Sequence, residues 1–381
     1  MKVLLIDTSE FLTETNRNEG LFTLDQAQII KKKFDVDVFS PGVYSFKDTF
    51  KKKNYKKFEI INGVKIYRKY KKNLIPYSFH KLNPMIASKI SKISLELFDE
   101  YLSNNKKPDL LHAHKIRFSA FAAYAIYKKY NIPFIITEHN SDVMRNIFPK
   151  SLKNLTKKII ISAKNFNTVS KLNSIELKKY FKLKKINIFY NVIPQIFIKN
   201  SKKKFLDKKN YNFLSVTRFD LNKNIQLLVD TFIENFSETK AILNIVGGGK
   251  LFNYYKKYIL KRKMSHKIRI MNFVDRKILV KYYQKCDCFI MPSHKETFGL
   301  SMIEALLFKN YCITSKHSGY YELKDKKIVL PSFNSNSKEQ LKKLMIKAYK
   351  KDKKFDHRKN ILKYFGEESF LNQINKIYFI D

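Results

Sequence analysis

The stretch Asn212-Phe213-Leu214-Ser215-Val216-Thr217-Arg218, a β-rich run that ends on a cation, restarts in the second half of the chain a pattern the first half already carries. Strands are predicted at Phe213–Thr217, Ile242–Val246, Ile268–Asn272, Cys288–Met291, Tyr311–Thr314 and Ile328–Leu330, with helical spacing between most of them. Upstream, Lys2–Asp7 reads as a buried strand, Leu24–Lys33 as a helix and Val36–Phe39 as a strand. Glu59–Arg68 alternates about Asn62-Gly63, a strong hairpin signal. A helix near Met85–Tyr101 follows, then a strand at Asp109–Ala113, a helix at Phe118–Tyr130 and a strand at Pro133–Thr137. Further strands are predicted at Asn165–Ser170 and Ile186–Phe189. Two successive series of this kind in 381 residues predict an α/β fold of two Rossmann-like, doubly wound domains with parallel sheets. The junction falls between Asn191 and Tyr211, which gives domains over 1–195 and 196–360. Residues 361–381 then form a C-terminal helix packing back on the first domain.

Composition narrows the class. A hydrophobic share of 44% is enough for packed interiors and excludes a disordered chain. Cys286, Cys288 and Cys312 are too few for a disulfide framework and lack zinc-ligand spacing, so they read as buried thiols in a reducing compartment. The apolar run Val3–Ile6 stops at Asp7, short of a signal peptide's core, and Phe118–Tyr127 is too short to span a bilayer. A cytoplasmic protein is expected, either free or peripheral on the inner face of the membrane. The formal charge of +43 is extreme. Lysines gather at Lys31–Lys33, Lys51–Lys53, Lys69 with Lys71 and Lys72, and Lys202–Lys204. Such charge suits nucleic-acid phosphates, an anionic membrane surface, or a lysine-rich composition that solvates every face. No RNA-recognition sequence, zinc finger or basic leucine-zipper pattern accompanies it, so no specific nucleic acid is expected as a partner.

Ligands of doubly wound sheets bind beyond the carboxyl ends of the strands, and the chemistry-bearing residues lie just there. Arg218 follows the strand Phe213–Thr217, and Lys223 opens the next helix. Two cations at one sheet edge suit a diphosphate, one as a bidentate fork and one as a point charge. Leu243–Val246 runs into Gly247-Gly248-Gly249, either a plain turn or a loop facing a ligand; neither the dinucleotide fingerprint nor a P-loop is present. The stretch Pro292-Ser293-His294-Lys295-Glu296-Thr297-Phe298-Gly299-Leu300-Ser301-Met302-Ile303-Glu304 places a glycine at a strand-to-helix turn between two carboxylates. Its first-turn N–H groups suit phosphate or sugar oxygens, and each Glu can accept from vicinal hydroxyls. On one continuous helix eight positions separate the two by about 12 Å. A glycosidase pair wants roughly 5–5.5 or 6.5–9.5 Å.

These residues closely resemble the retaining glycosyltransferases of family 4, which have the two-domain GT-B fold with its domains facing across a cleft. The resemblance covers most of the chain and is most specific from Phe213 to Glu322. Glu296 and Glu304 match the Glu-x7-Glu signature, with Phe298-Gly299-Leu300 between them. Arg218 and Lys223 match the diphosphate-binding pair, and Val246 to Gly249 the Val-Gly-x-Gly loop. The resemblance implies that the first Glu contacts the donor sugar and the second the ribose. In the first half, Asn18-Glu19-Gly20-Leu21-Phe22 resembles the glycine-bearing loop near donor phosphate and acceptor. His112-Ala113-His114 and Thr137-Glu138-His139-Asn140 resemble histidine-bearing strand ends. His139 is thereby implied beside the donor sugar's reacting carbon, with His114 and Asn140 on the acceptor side. A satisfied core histidine is the competing reading for His139, and more so for His112. The family's Asn-Gly-Val hinge is replaced by Asn191-Val192-Ile193, and a usual glycine by Asn310.

Asp35-Val36-Asp37 imitates a metal-binding Asp-x-Asp but sits inside a strand pattern, and reads as a solvated strand face. With Arg218 and Lys223 to neutralise a leaving diphosphate, no metal or other cofactor is expected. The implied activity is transfer of a hexose-type sugar from a UDP- or GDP-linked donor to a hydroxyl of a glycan or lipid-linked acceptor, with retention. It would serve the synthesis of a cell-surface polysaccharide or glycolipid. A nucleotide-sugar epimerase, another enzyme of the same fold such as a phosphorylase, and a basic nucleic-acid-binding protein are the alternatives.

Overall fold

The computed structural model describes residues 1–9, 11–13, 19–44, 55–76, 78–202, 205, 209–350 and 356–379. Of the sequence features singled out above, Asn18, Lys51–Lys53, Lys203 and Lys204 lie outside the described residues. The chain divides into two compact units, Met1–Val192 with Glu367–Asp381, and Ile193–Gly366.

The first unit is built on β1 (Lys2–Ile6), whose Val3, Leu4, Leu5 and Ile6 are all fully buried, as a strand covered on both faces requires. After it come α1 (Leu21–Ile30), β2 (Asp35–Val43), β3 (Phe58–Ile61), β4 (Val64–Lys71), α2 (Asn83–Leu102), β5 (Leu110–His114), α3 (Ser119–Tyr130), β6 (Phe134–Glu138), α4 (Lys153–Ser162), β7 (Asn165–Thr168), α5 (Lys171–Phe181) and β8 (Asn187–Ile188). Among the described residues the strand order is β3-β4-β2-β1-β5-β6-β7-β8. Every pair is parallel except β3 with β4, the hairpin at Asn62-Gly63, where both turn residues take positive φ. The strand order reverses between β1 and β5, so their carboxyl ends border this unit's switch point.

The second unit holds α6 (Gln195–Asn200), β9 (Tyr211–Val216), α7 (Ile225–Phe236), β10 (Ala241–Val246), α8 (Phe252–Lys261), β11 (Ile268–Met271), α9 (Arg276–Lys285), β12 (Cys288–Met291), α10 (Leu300–Leu307), β13 (Tyr311–Ser315), α11 (Ser318–Asp325), β14 (Ser332–Phe333), α12 (Lys338–Lys350) and α13 (Arg358–Phe365). Its all-parallel sheet runs β11-β10-β9-β12-β13-β14, with the switch point between β9 and β12. The last helix, α14 (Glu367–Tyr378), returns to the first unit. It buries Phe370, Leu371, Ile374, Ile377 and Tyr378, a helical spacing that makes one apolar stripe.

Three expectations need correcting. The strand predicted at Ile328–Leu330 is displaced to Ser332–Phe333; Pro331 offers only a carbonyl, which accepts from Thr314 N–H, and strand pairing begins after it. Asp35-Val36-Asp37 is not a solvated face at both ends: Asp37 is buried, accepts from the Tyr101 hydroxyl at 2.8 Å and lies 3.4 Å from Lys2 Nζ. Lys223 does not open α7; it ends a single 3₁₀ turn, Leu221–Lys223, just before it. All three cysteines are free and buried, and burial pushes the Cys288 thiol well up, which leaves it a packing group. No helix among the described residues is long and apolar enough to cross a membrane.

Candidate active site

In the second unit the switch point collects the predicted donor residues. Lys223 Nζ pairs with Glu296 Oε2, joining the loop after β9 to the loop after β12. Both side chains are largely buried. Burial pushes the Glu296 carboxyl up, but Lys223, then His317 and Arg218, outweigh it and hold it below the ordinary carboxylate value. Arg218 is the exposed member, 62% accessible and 3.6 Å from Asp220. The centre therefore joins a buried, neutralised pair to a solvent-facing guanidinium that remains able to grip an anion.

Gly299 caps α10 from the left-handed region, φ 83, and a Cβ there would lie 3.6 Å from both Glu296 Cγ and His317 Cε1. The Ser301 hydroxyl donates to the Val216 carbonyl at 3.0 Å, which seats the first turn of α10 on the end of β9. Its initial N–H groups, which the helix cannot satisfy, thus belong to the same edge of the sheet. Leu300 opens the helix half-buried, whereas the Phe298 ring is buried against Phe365 at 5.2 Å and packs rather than presents itself. Glu304 is buried one turn further on and accepts from Tyr283 OH at 2.7 Å. Glu296 and Glu304 thus sit in different hydrogen-bonded settings.

The glycine run packs against the loop that follows β9. Gly247 has φ 144, and a Cβ there would fall 2.0 Å from the Thr217 carbonyl oxygen. A Cβ at Gly249 would fall 2.6 Å from the Phe219 carbonyl oxygen. Phe219 N–H donates to the Gly248 carbonyl and Leu251 N–H to the Phe219 carbonyl. The run is the bed on which the Arg218 loop lies.

In the first unit the switch point gathers the histidines. The loop after β1 ends at Gly20, the left-handed cap of α1, and Phe22 on that helix lies 4.8 Å from the His139 ring. His114 Nδ1 is 3.1 Å from His139 Nε2, and the two rings stack. His112 is a satisfied core histidine: its nitrogens meet Tyr378 OH at 3.1 Å and Thr137 Oγ1 at 2.8 Å. Asn140 is half-buried, with its backbone N–H held by Glu138. His139 also bonds Asn191, and burial, with Lys115 second, pushes it down to about 3. It is a neutral imidazole at physiological pH.

Sequence reasoning missed four contributors. Asp7, fully buried at the end of β1, accepts from Ser9 N–H, the Ser9 hydroxyl and the Thr23 hydroxyl, with Lys115 Nζ at 3.4 Å. Burial alone would raise its carboxyl, but Lys115 and these bonds bring it to about 2. Lys115 takes φ 87 just past β5, a conformation costly for a side-chain-bearing residue. The strand-end rule that selected Arg218 points equally to Lys115 and to His317, which follows β13. Tyr283, inside α9, gave no such signal.

The buried histidines set an acid limit on stability. In the unfolded chain each titrates near 6.5, whereas folded His112 and His114 stay well below, and His139 and His317 fall to about 3 and about 4. Below pH 6.5 the unfolded state takes up protons that the native state refuses, so stability falls with pH. Glu138 opposes this: burial raises it to about 7, so the native state holds an extra proton between about 4.5 and 7. Four sites outweigh one, each uncompensated proton contributing about 1.4 kcal/mol per pH unit. Thermal midpoints should drop steadily from pH 6.5 to 5; a flat or rising midpoint would contradict these histidine environments.

Comparison with known proteins identifies the family. The family model described as Glycosyl transferases group 1 matches residues 197–365, and Glycosyltransferase Family 4 matches residues 26–194. An uncharacterized glycosyltransferase of Methanocaldococcus jannaschii is 23% identical over 94% of both chains. A putative teichuronic acid biosynthesis glycosyltransferase of Bacillus subtilis, TuaC, is 25% identical over 81% of this chain and 79% of the relative. Anabaena Alr3699/HepE, solved in complex with UDP and glucose, superposes with a TM-score of 0.69 at 15% identity over 99% of both chains. Two parallel α/β units with strand-end chemistry, matched in both halves by the family's own models, make this chain a glycosyltransferase of family 4 with the GT-B fold.

Proposed function

We propose that the enzyme transfers a hexose-type sugar from a nucleoside diphosphate to a hydroxyl of a glycan or lipid-linked acceptor, with retention. The observation that carries the reading is the buried Lys223–Glu296 pair beside exposed Arg218 at the switch point of the second unit. In the reaction the acceptor oxygen forms a bond to the anomeric carbon while the bond from that carbon to the diphosphate oxygen breaks. The electron pair leaves on the diphosphate, whose departing oxygen takes up the acceptor's hydroxyl proton. Arg218, Lys223 and the first-turn N–H groups of α10 stabilise the charge that develops there, so the cations of the chain itself carry the electrostatic load. Glu296, held ionised, accepts from sugar hydroxyls, and Glu304 from the ribose. His139 stands beside the donor sugar's reacting carbon, and His114 and Asn140 serve the acceptor side. The UDP and glucose bound by HepE support the donor class, and the name of TuaC supports a cell-surface polysaccharide as product.

A thermal-shift panel of UDP- and GDP-linked hexoses tests this, since ligand at a hundredfold over Kd stabilises by about 2.7 kcal/mol. At least one nucleotide sugar should raise the midpoint, and Arg218→Ala should lower kcat/KM for it at least about tenfold, ~1.4 kcal/mol. No shift with any donor, or near-normal turnover by Arg218→Ala, would remove the assignment.

A further inference from the structure

His317 stands at the start of α11, where it is 2% exposed, and its only part so far is electrostatic, through Glu296. Its tautomer is assigned from its neighbour's contacts. The Thr314 hydroxyl has one proton and lies 3.1 Å from the Ser315 carbonyl, which can only accept; with the proton given there, the hydroxyl accepts from His317 Nε2, 2.9 Å away. With that assignment the ring proton is on Nε2, and Nδ1 keeps a lone pair. Burial, the largest influence, pushes the ring down to about 4, so it is neutral at physiological pH. Nδ1 is buried and has no hydrogen-bond partner among the described residues. The ring edge between the two nitrogens faces Gly299, with Cε1 3.6 Å from where a Cβ would stand. Glu296 and Lys223 are both close enough to act on the ring electrostatically, in opposite senses.

A buried acceptor without a donor is costly, and most such groups in native proteins find a partner. We propose that His317 Nδ1 accepts a hydrogen bond from a hydroxyl of the donor sugar, beside the hydroxyls that Glu296 engages, and so discriminates between hexoses. A neutral aromatic nitrogen is suited to a neutral alcohol and unsuited to a phosphate, which offers no proton at physiological pH. That assigns His317 to the sugar and leaves the diphosphate to Arg218 and Lys223. The inference rests on the donor reading given above.

The test compares binding of UDP and GDP with binding of UDP-glucose, UDP-galactose and GDP-mannose, in wild type, His317→Phe and His317→Asn full-length protein. His317→Phe keeps a planar ring but removes the acceptor; His317→Asn keeps an acceptor near the Nδ1 position. His317→Phe should weaken the preferred nucleotide sugar by about tenfold while the matching nucleoside diphosphate stays within about twofold. His317→Asn should recover most of the loss. Equal weakening of nucleotide sugar and nucleoside diphosphate would show a merely structural role and overturn the proposal, as would no change. A wild type that binds nucleoside diphosphates but gains nothing from any attached sugar overturns the His317 assignment alone. A wild type that binds neither overturns the donor reading and this proposal with it.

Discussion

Replacing Lys223 with alanine is expected to lower kcat/KM well beyond tenfold and to reverse the pH dependence contributed by Glu296. Two losses combine. On the proposed function the diphosphate loses one of its two cations, and Glu296 loses the partner that keeps its buried carboxylate ionised. In wild type the folded carboxyl lies below its unfolded value, so the pair contributes stability above pH ~4.5, lost as pH falls through the lower folded value. Without Lys223, burial governs and pushes the carboxyl up. The folded state then favours the protonated form, and stability declines as pH rises above ~4.5. Removal of one partner from a fully buried pair costs about 3–5 kcal/mol. With 11% and 18% of the two side chains accessible, roughly 2–3 kcal/mol is expected at pH 7. Denaturant midpoints of wild type and Lys223→Ala at pH 5 and pH 8 read this out: the deficit should be larger at pH 8. An equal deficit at both would mean that Glu296 is not governed by Lys223.

The second large effect is expected at Gly247. Gly247→Ala places a methyl where the Thr217 carbonyl oxygen already stands, 2.0 Å away, on a backbone at φ 144. Neither partner can yield freely. Thr217 N–H donates to the Val246 carbonyl, and Phe219 N–H to the Gly248 carbonyl, each at 2.9 Å, so the two loops are laced on both sides of the collision. A loss of about 3 kcal/mol or more is expected from strain and broken pairing. The displaced segment is the one that carries Arg218, so any surviving folded protein should bind nucleoside diphosphate poorly. A variant within about 0.5 kcal/mol of wild type with normal donor affinity would show that the loops are not coupled as described.

Much of the fold was legible because it rests on periodicity. Buried parallel strands such as Val3–Ile6 and Cys288–Met291 announce themselves as short apolar runs, and Asn62-Gly63 has few uses other than a tight turn. Ile328–Leu330 misled because Ile328 and Leu330 are indeed buried and apolar, yet burial is not pairing, and Pro331 decides where pairing starts. Asp37 misled in the opposite sense: alternation marks it as a surface residue, and only the distant Tyr101 and Lys2 make its burial tolerable.

At the site, what could be read was position along the chain; what could not was which side chains meet. Among 76 lysines and arginines, strand-end position marks Lys223 and Lys115 without saying which side chains they meet. Each is singled out by a carboxylate far away in sequence, Glu296 for one and Asp7 for the other. Likewise the glycine run reads equally as a plain turn or a ligand loop, and its packing on Thr217 and Phe219 is a tertiary fact.

On the proposed function, the Lys223–Glu296 centre holds a nucleotide sugar for transfer. It is tested most directly by release of nucleoside diphosphate from the preferred donor in the presence of acceptor hydroxyls, with wild type, Lys223→Ala and Glu296→Gln side by side at matched folded concentration. Wild type should give sugar-linked product and free nucleoside diphosphate in equal amounts, and both variants should lose at least about tenfold. Undiminished release by either variant, or release by wild type with no sugar-linked product, would contradict it.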